Sequence, residues 1–169
     1  MTTNLEARLS TYSPTVLSIF RFMIGLLFTL HGTMGLFNWP LALPMQIHVG
    51  DWPGWWASLI EFVTGLLVMI GLFTRPAAFL ASGTMAVAYF WQHWPFNAGP
   101  KVFWPFDRAI GGNSGELAIL FCFSFLLILF AGPGAYAIDS RRRPAGTTAA
   151  RGGYADRGVA GWRRRFARR

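Results

Sequence analysis

Long apolar stretches alternate with short polar or proline-rich breaks along this chain. Four spans stand out, roughly Val16–Phe37, Trp55–Phe73, Pro76–Trp94 and Leu117–Ala131. Each holds about 15–22 residues, and about 20 helical residues cross ~30 Å of hydrocarbon. The fourth is the shortest, and its flanks extend it to about 115–134. The pattern predicts an all-α membrane protein: an antiparallel bundle of four transmembrane helices at about 16–37, 55–73, 76–94 and 115–134. Residues 1–138 form this membrane domain. The first span is too long for a signal peptide and no small-residue cleavage pattern follows it, so it reads as a retained helix.

The breaks refine the picture. Met1–Ser13 reads as a short polar lead-in. Gly25, Thr29 and Gly32 lie at i, i+4 and i+7, on one helix face, where small residues let a second helix approach. Asp51-Trp52-Pro53 resembles the start of the second helix. The tight link at Thr74-Arg75-Pro76 predicts a hairpin of helices two and three. A loop of about 20 residues, Pro95–Gly115, precedes the fourth helix, and loops this long are usually functional or mobile.

Charge orients the bundle. The chain has 169 residues, is 53% hydrophobic, and carries a net charge of +8. Ten arginines fall between Arg141 and Arg169. Basic residues concentrate on the cytoplasmic side, so both termini are expected inside a bacterial plasma membrane. Trp39, Trp52, Trp55, Trp56, Trp91, Trp94 and Trp104 all map to the outer boundary. Such a belt is ordinary interfacial anchoring or the rim of a mouth that admits a flat apolar ligand. The segment 139–169 is too rich in Arg, Gly and Ala to bury a core, and is expected to be a disordered cytoplasmic tail. Within it, Trp162 and Phe166 lie at i, i+4 among Arg163, Arg164 and Arg165, a pattern suited to anionic lipid. Nothing in the tail suggests a folded nucleic-acid reader.

Chemistry is confined to a few side chains. Charges in hydrocarbon cost at least ~2.5–3.5 kcal/mol, so each one is a functional candidate. Arg21, His31, Glu61, His93 and Glu116 are those candidates for ligand binding, and His31 and Glu61 for catalysis. His31 and Glu61 each sit ~9 Å below the outer end of their helices. Arg21 lies ~15 Å further toward the cytoplasm. Each has a plainer role available: snorkelling or helix pairing for Arg21, interhelical hydrogen bonding for His31 and Glu61, an interfacial position for His93. For Glu116 that role is an Asn-initiated capping box over Asn113–Glu116, with Glu at the third helical position. The one cysteine, Cys122, excludes a dithiol relay within this chain. No Cys cluster or Glu-x-x-His motif suggests a metal. Haem is disfavoured, because His31 and His93 differ by ~9 Å in depth.

Arg21 followed by GLLFTLHGTMGLF, the block from Glu61 through GLLVMIGLFTRPAA, and GELAILFCFSFLLILFAGPGAYAID together resemble the DoxX family of small four-helix membrane proteins. The likeness runs from about Val16 to Asp139. Arg21, His31, Glu61 and Glu116 match the family's recurrent polar positions, whereas Gly35 stands where the family often has lysine. The resemblance implies a membrane subunit of a redox or oxidative-stress assembly, with soluble redox enzymes as partners. Quinone is the cofactor class such a subunit would use. His31 and Glu61 beneath an aromatic rim would serve its two carbonyl oxygens, and electrons would come from a partner or a diffusing donor. Two other classes stay open. One is a non-enzymatic scaffold that recruits soluble enzymes through its tail or outer loop. The other is a small proton-coupled transporter, which would need an oligomer.

Overall fold

The structure is a computed structural model that describes residues 2–42, 47–93 and 115–141. Every regular element among these residues is helical. They are α1 (Thr2–Phe37), α2 (Gly54–Ile70), α3 (Thr74–Ala88) with a π-helical turn at Tyr89–His93, α4 (Glu116–Ala131) and the short α5 (Ile138–Arg141).

α1 corrects the expected boundary at Val16. The lead-in is itself helical from Thr2, so α1 has 36 residues and a length of ~54 Å. Leu5-Glu6-Ala7-Arg8-Leu9 is a run of good helix formers, and Pro14 does not end the helix. The Pro14 carbonyl accepts the Ser18 hydroxyl at 2.8 Å and the Ala135 N–H at 3.2 Å. α2 stops three residues before the expected Phe73. Gly71 takes the left-handed conformation, φ 74°. Its N–H reaches Val68 O, while the Leu72 N–H reaches Leu67 O at 2.9 Å, a Schellman closure that only a residue tolerant of positive φ makes cheaply. Asp51-Trp52-Pro53 does precede a helix, but the Asp51 carboxylate accepts the His48 N–H at 2.8 Å instead of capping α2. Gly115, φ 76°, precedes α4 directly, so Glu116 is its first residue and not its third. The capping box expected there is therefore shifted out of register. Asn113 and Ser114 lie outside the described residues.

The glycine stripe of α1 packs against α2. A Cβ on Gly25 would sit 2.6 Å from Met69 N, and one on Gly32 would sit 2.7 Å from Phe62 Cα. Gly35 leaves room for the Ser58 side chain. Rising numbers on α1 meet falling numbers on α2, so the pair is antiparallel and in backbone contact. α3 packs on α4 by a different solution. Ala77, Ala78 and Ala81 on α3 leave room for Phe121, Phe125 and Ile128 on α4, and all six are buried. Phe28 of α1 completes this core, its ring 4.6 Å from Phe125 and 5.2 Å from Phe121. The Ser82 hydroxyl donates to Cys122 O at 3.0 Å and ties α3 to α4.

The outside of the bundle is apolar. Phe79, Phe123 and Phe130 are 64%, 64% and 76% exposed. A face this apolar is unusual on a protein surrounded by water. Among the described residues one helix, Arg8–Phe37, is both long and apolar enough to cross a membrane by length and composition. α2 and α4 are apolar but shorter.

Candidate functional site

Arg21 is 2% exposed and is the most heavily bonded side chain described. Its Nε donates to Pro133 O at 2.8 Å, Nη1 to Val68 O and to Met69 O at 2.7 Å, and Nη2 to Tyr136 O at 2.6 Å. The guanidinium fork thus satisfies carbonyls at the end of α2 and in the α4–α5 turn. Of those at the end of α2, Val68 O also accepts the Gly71 N–H at 3.1 Å. The side chain does not snorkel toward headgroups; it turns inward.

Asp139 works beside it. α3 begins after Phe73, which is left-handed at φ 48° and supplies no side-chain cap. The Asp139 carboxylate supplies one from α5. Oδ1 accepts the Phe73 N–H at 3.0 Å, and Oδ2 accepts the Thr74 N–H and the Thr74 hydroxyl, both at 2.8 Å. The Asp139 N–H donates to Gly71 O at 2.9 Å. A boundary at Ile138 therefore falls inside the folded unit, and Asp139–Arg141 belong to it. Sequence reasoning missed this role. The available signal was the α3 start itself, Phe73-Thr74-Arg75-Pro76, which has no acidic residue in its first turn.

The other end of the bundle holds His31 and Glu61. Gly32 and Phe62 mark a close approach of α1 and α2 here, so in this antiparallel pair the residues that precede them are offset by only ~3 Å along the helix axis. Both side chains are partly buried. The His31 ring meets Phe121 edge-on at 5.8 Å. Among the described residues neither side chain has a hydrogen-bond or ion-pair partner, and no bond joins the two. Neighbouring polar groups are self-satisfied: Thr29 donates to Gly25 O at 2.7 Å and Thr64 to Ile60 O at 2.6 Å. A carboxyl and an imidazole are left with unused capacity at nearly one depth.

The next face of α2 walls an apolar groove of about 430 Å³. Trp52, Trp56 and Ile60 line one side, and Phe79, Gly83, Val87 and Trp91 line the other. The only hydroxyl in the lining, that of Thr84, is engaged with Leu80 O at 2.9 Å. Such volume and lining suit a flat apolar molecule. The lining includes neither His31 nor Glu61, so the aromatic rim and the polar pair lie on adjacent faces of α2, not in one cavity.

The family model for DoxX matches residues 16–94. A Haemophilus influenzae (strain Rd) protein described as uncharacterized is 38% identical over 135 residues, covering 79% of this chain and 95% of the relative. The chain belongs to the DoxX family. No solved structure matches it. DoxX proteins are membrane-associated, which accords with the apolar exterior.

The matched DoxX segment holds Arg21, the Gly32–Phe62 contact, His31, Glu61 and the groove. It ends before Glu116 and Asp139. Glu116 is exposed at the start of α4 and stands apart from the Arg21 clamp. The side chain of His93 and the tail residues Trp162–Phe166 lie outside what the structure describes.

Proposed function

We propose that this DoxX protein is a multi-pass plasma-membrane subunit of a redox assembly, with four spanning helices and both termini cytoplasmic, and that it binds a quinone-like ring compound near the outer ends of α2 and α3. The observation that carries this reading is the groove walled by Trp52, Trp56 and Trp91. Indole faces offer a flat ring large apolar contact. The groove opens on the apolar exterior, where a lipid-soluble ligand arrives. Glu61 follows Ile60 of the groove wall, and His31 lies at nearly its level. Together they form a proton-exchanging pair one helix face away. Electrons reach the ring from a partner enzyme or a diffusing donor.

Gly83 provides the test. A Cβ there meets nothing within 4 Å, so Gly83→Leu fills the groove without disturbing the bundle. Purified protein should carry quinone detectable by mass spectrometry. It should also bind a short-chain quinone saturably, read by tryptophan quenching. Gly83→Leu and Trp56→Ala should each weaken that binding at least about tenfold. If wild type and both variants quench alike, the groove is not the site. If no quinone co-purifies, and soluble enzymes do and are lost on deletion of 142–169, the scaffold reading replaces this one.

A further inference from the structure

α1 carries a feature that the bundle does not use. Leu5, Leu9, Tyr12, Val16, Ile19 and Met23 follow one another at alternating steps of four and three residues. All six are exposed, at 46–65%. They form a single stripe opposite the face that holds Arg21, Gly25, Phe28 and Gly32. Arg21, at the position of the heptad furthest from the stripe, is buried in the bundle, which fixes the stripe as outward-facing.

Apolar residues at a strict 3.5-residue period are the seam of a helix pair. In the apolar span this pattern alone would mean little, because lipid accepts any apolar face. Before Pro14 it means more. There Leu5, Leu9 and Tyr12 are the apolar track on a helix whose other residues include Glu6, Arg8, Ser10, Thr11 and Ser13. Leu5 through Ser13 are exposed wherever the side chain is described, and the Pro14 carbonyl bonded to the Ala135 N–H marks where the bundle begins. Covering the exposed apolar side chains of this stretch would stabilise it.

We infer that the α1 stripe is a homodimer seam, occupied by the same stripe of a second copy in parallel register. Two copies inserted the same way round in one membrane are related by a twofold axis along the membrane normal. That symmetry sets their first helices parallel and at equal depth, so each seam residue meets its own counterpart. The parallel sense rests on the membrane reading above. The flanks allow it: parallel heptad pairing places Arg8 opposite Ser13 of the second copy, so no like charges meet. Six side chains this exposed offer on the order of 1,000 Å² to two copies, the size at which specific interfaces begin.

Disulfide cross-linking of full-length protein in native membranes tests this in a Cys122→Ala background. Single variants Leu9→Cys and Tyr12→Cys lie on the seam, and Ser10→Cys and Thr11→Cys lie off it. Under mild oxidation, the two seam variants should form covalent dimers at least about tenfold faster than the two off-seam variants. Equal rates at all four sites overturn the seam, as does cross-linking of the seam cysteines to another protein alone. A Leu5→Glu, Leu9→Glu double variant without cysteines supplies the second measurement, with subunits counted in dilute vesicles by photobleaching. Its dimer fraction should fall at least several-fold below that of wild type, and an unchanged fraction overturns the proposal. Alkaline carbonate extraction of the same membranes reads the membrane assumption separately, so a failure there is distinguishable from a failure of the seam.

Discussion

Arg21 shows how a charge becomes structure once its donors are used. Its fork bonds four backbone carbonyls that no other side chain described here serves. In Arg21→Ala the Val68 carbonyl keeps the Gly71 N–H, and the other three lose the donor they have, at about 1–3 kcal/mol for each one that stays buried and finds no replacement. The variant should unfold several kcal/mol more easily in a detergent denaturation series. Arg21→Lys should recover only part of this, because an ammonium has three donors and no planar fork. Full stability in Arg21→Lys would mean that charge alone suffices. Glu61 predicts the reverse sign. Its carboxyl has no partner among the described residues, so Glu61→Leu breaks no bond of the fold and puts an apolar side chain on a half-buried helix face. Glu61→Leu should therefore raise the unfolding midpoint, Glu61→Gln should keep the fold, and both should change the pH dependence of quinone reduction while leaving binding in the groove near that of wild type. A Glu61→Leu variant that loses stability would show instead that the carboxyl holds the bundle together.

At the scale of the elements, the two helix pairs close by different means. α1 and α2 meet backbone to backbone through glycine, whereas α3 and α4 interleave small against large. Gly25→Ala or Gly32→Ala should push α1 off α2, because even a methyl group would overlap the α2 backbone, and the thermal midpoint should fall. Gly83→Ala is the matched control. It meets nothing and replaces a poor helix former, so it should be neutral or stabilising by up to about 1 kcal/mol. Equal losses in all three variants would remove the packing explanation. The Asp139 cap makes a parallel case between elements. Asp139→Ala should cost about 1 kcal/mol, up to ~2, as lost helix caps do, and Asp139→Asn should recover only part of this, because both carboxylate oxygens accept N–H groups and an amide nitrogen accepts none. The measurement is a melt of wild type and the two variants side by side.

At the scale of the whole molecule, orientation is the property most open to test. Ten tail arginines predict both termini inside. In the Cys122→Ala background, Gly50→Cys should react with an impermeant thiol reagent on intact cells, and Ala149→Cys only after permeabilisation. The opposite pattern would invert the outer and inner ends used throughout. Much of the architecture was legible in the residues. Apolar runs placed all four long helices, the Gly25–Thr29–Gly32 face announced the α1–α2 contact, and the depth arithmetic put His31 and Glu61 near one level. The misplaced boundaries were those of α1, whose polar lead-in continues the helix, and of α2, which Gly71 ends early. These features are local: hydropathy, propensity and a positive-φ glycine act over a few residues and so are written in residue type. The tertiary structure alone decided the rest. It gave Arg21 its carbonyls, set Asp139 over the start of a helix 65 residues earlier in the chain, and separated the tryptophan groove from the His31–Glu61 pair by one face of α2. Backbone carbonyls and N–H groups are chemically alike at almost every position, so no residue type marks which of them a distant side chain will meet. Only the packing of the helices brings them within reach.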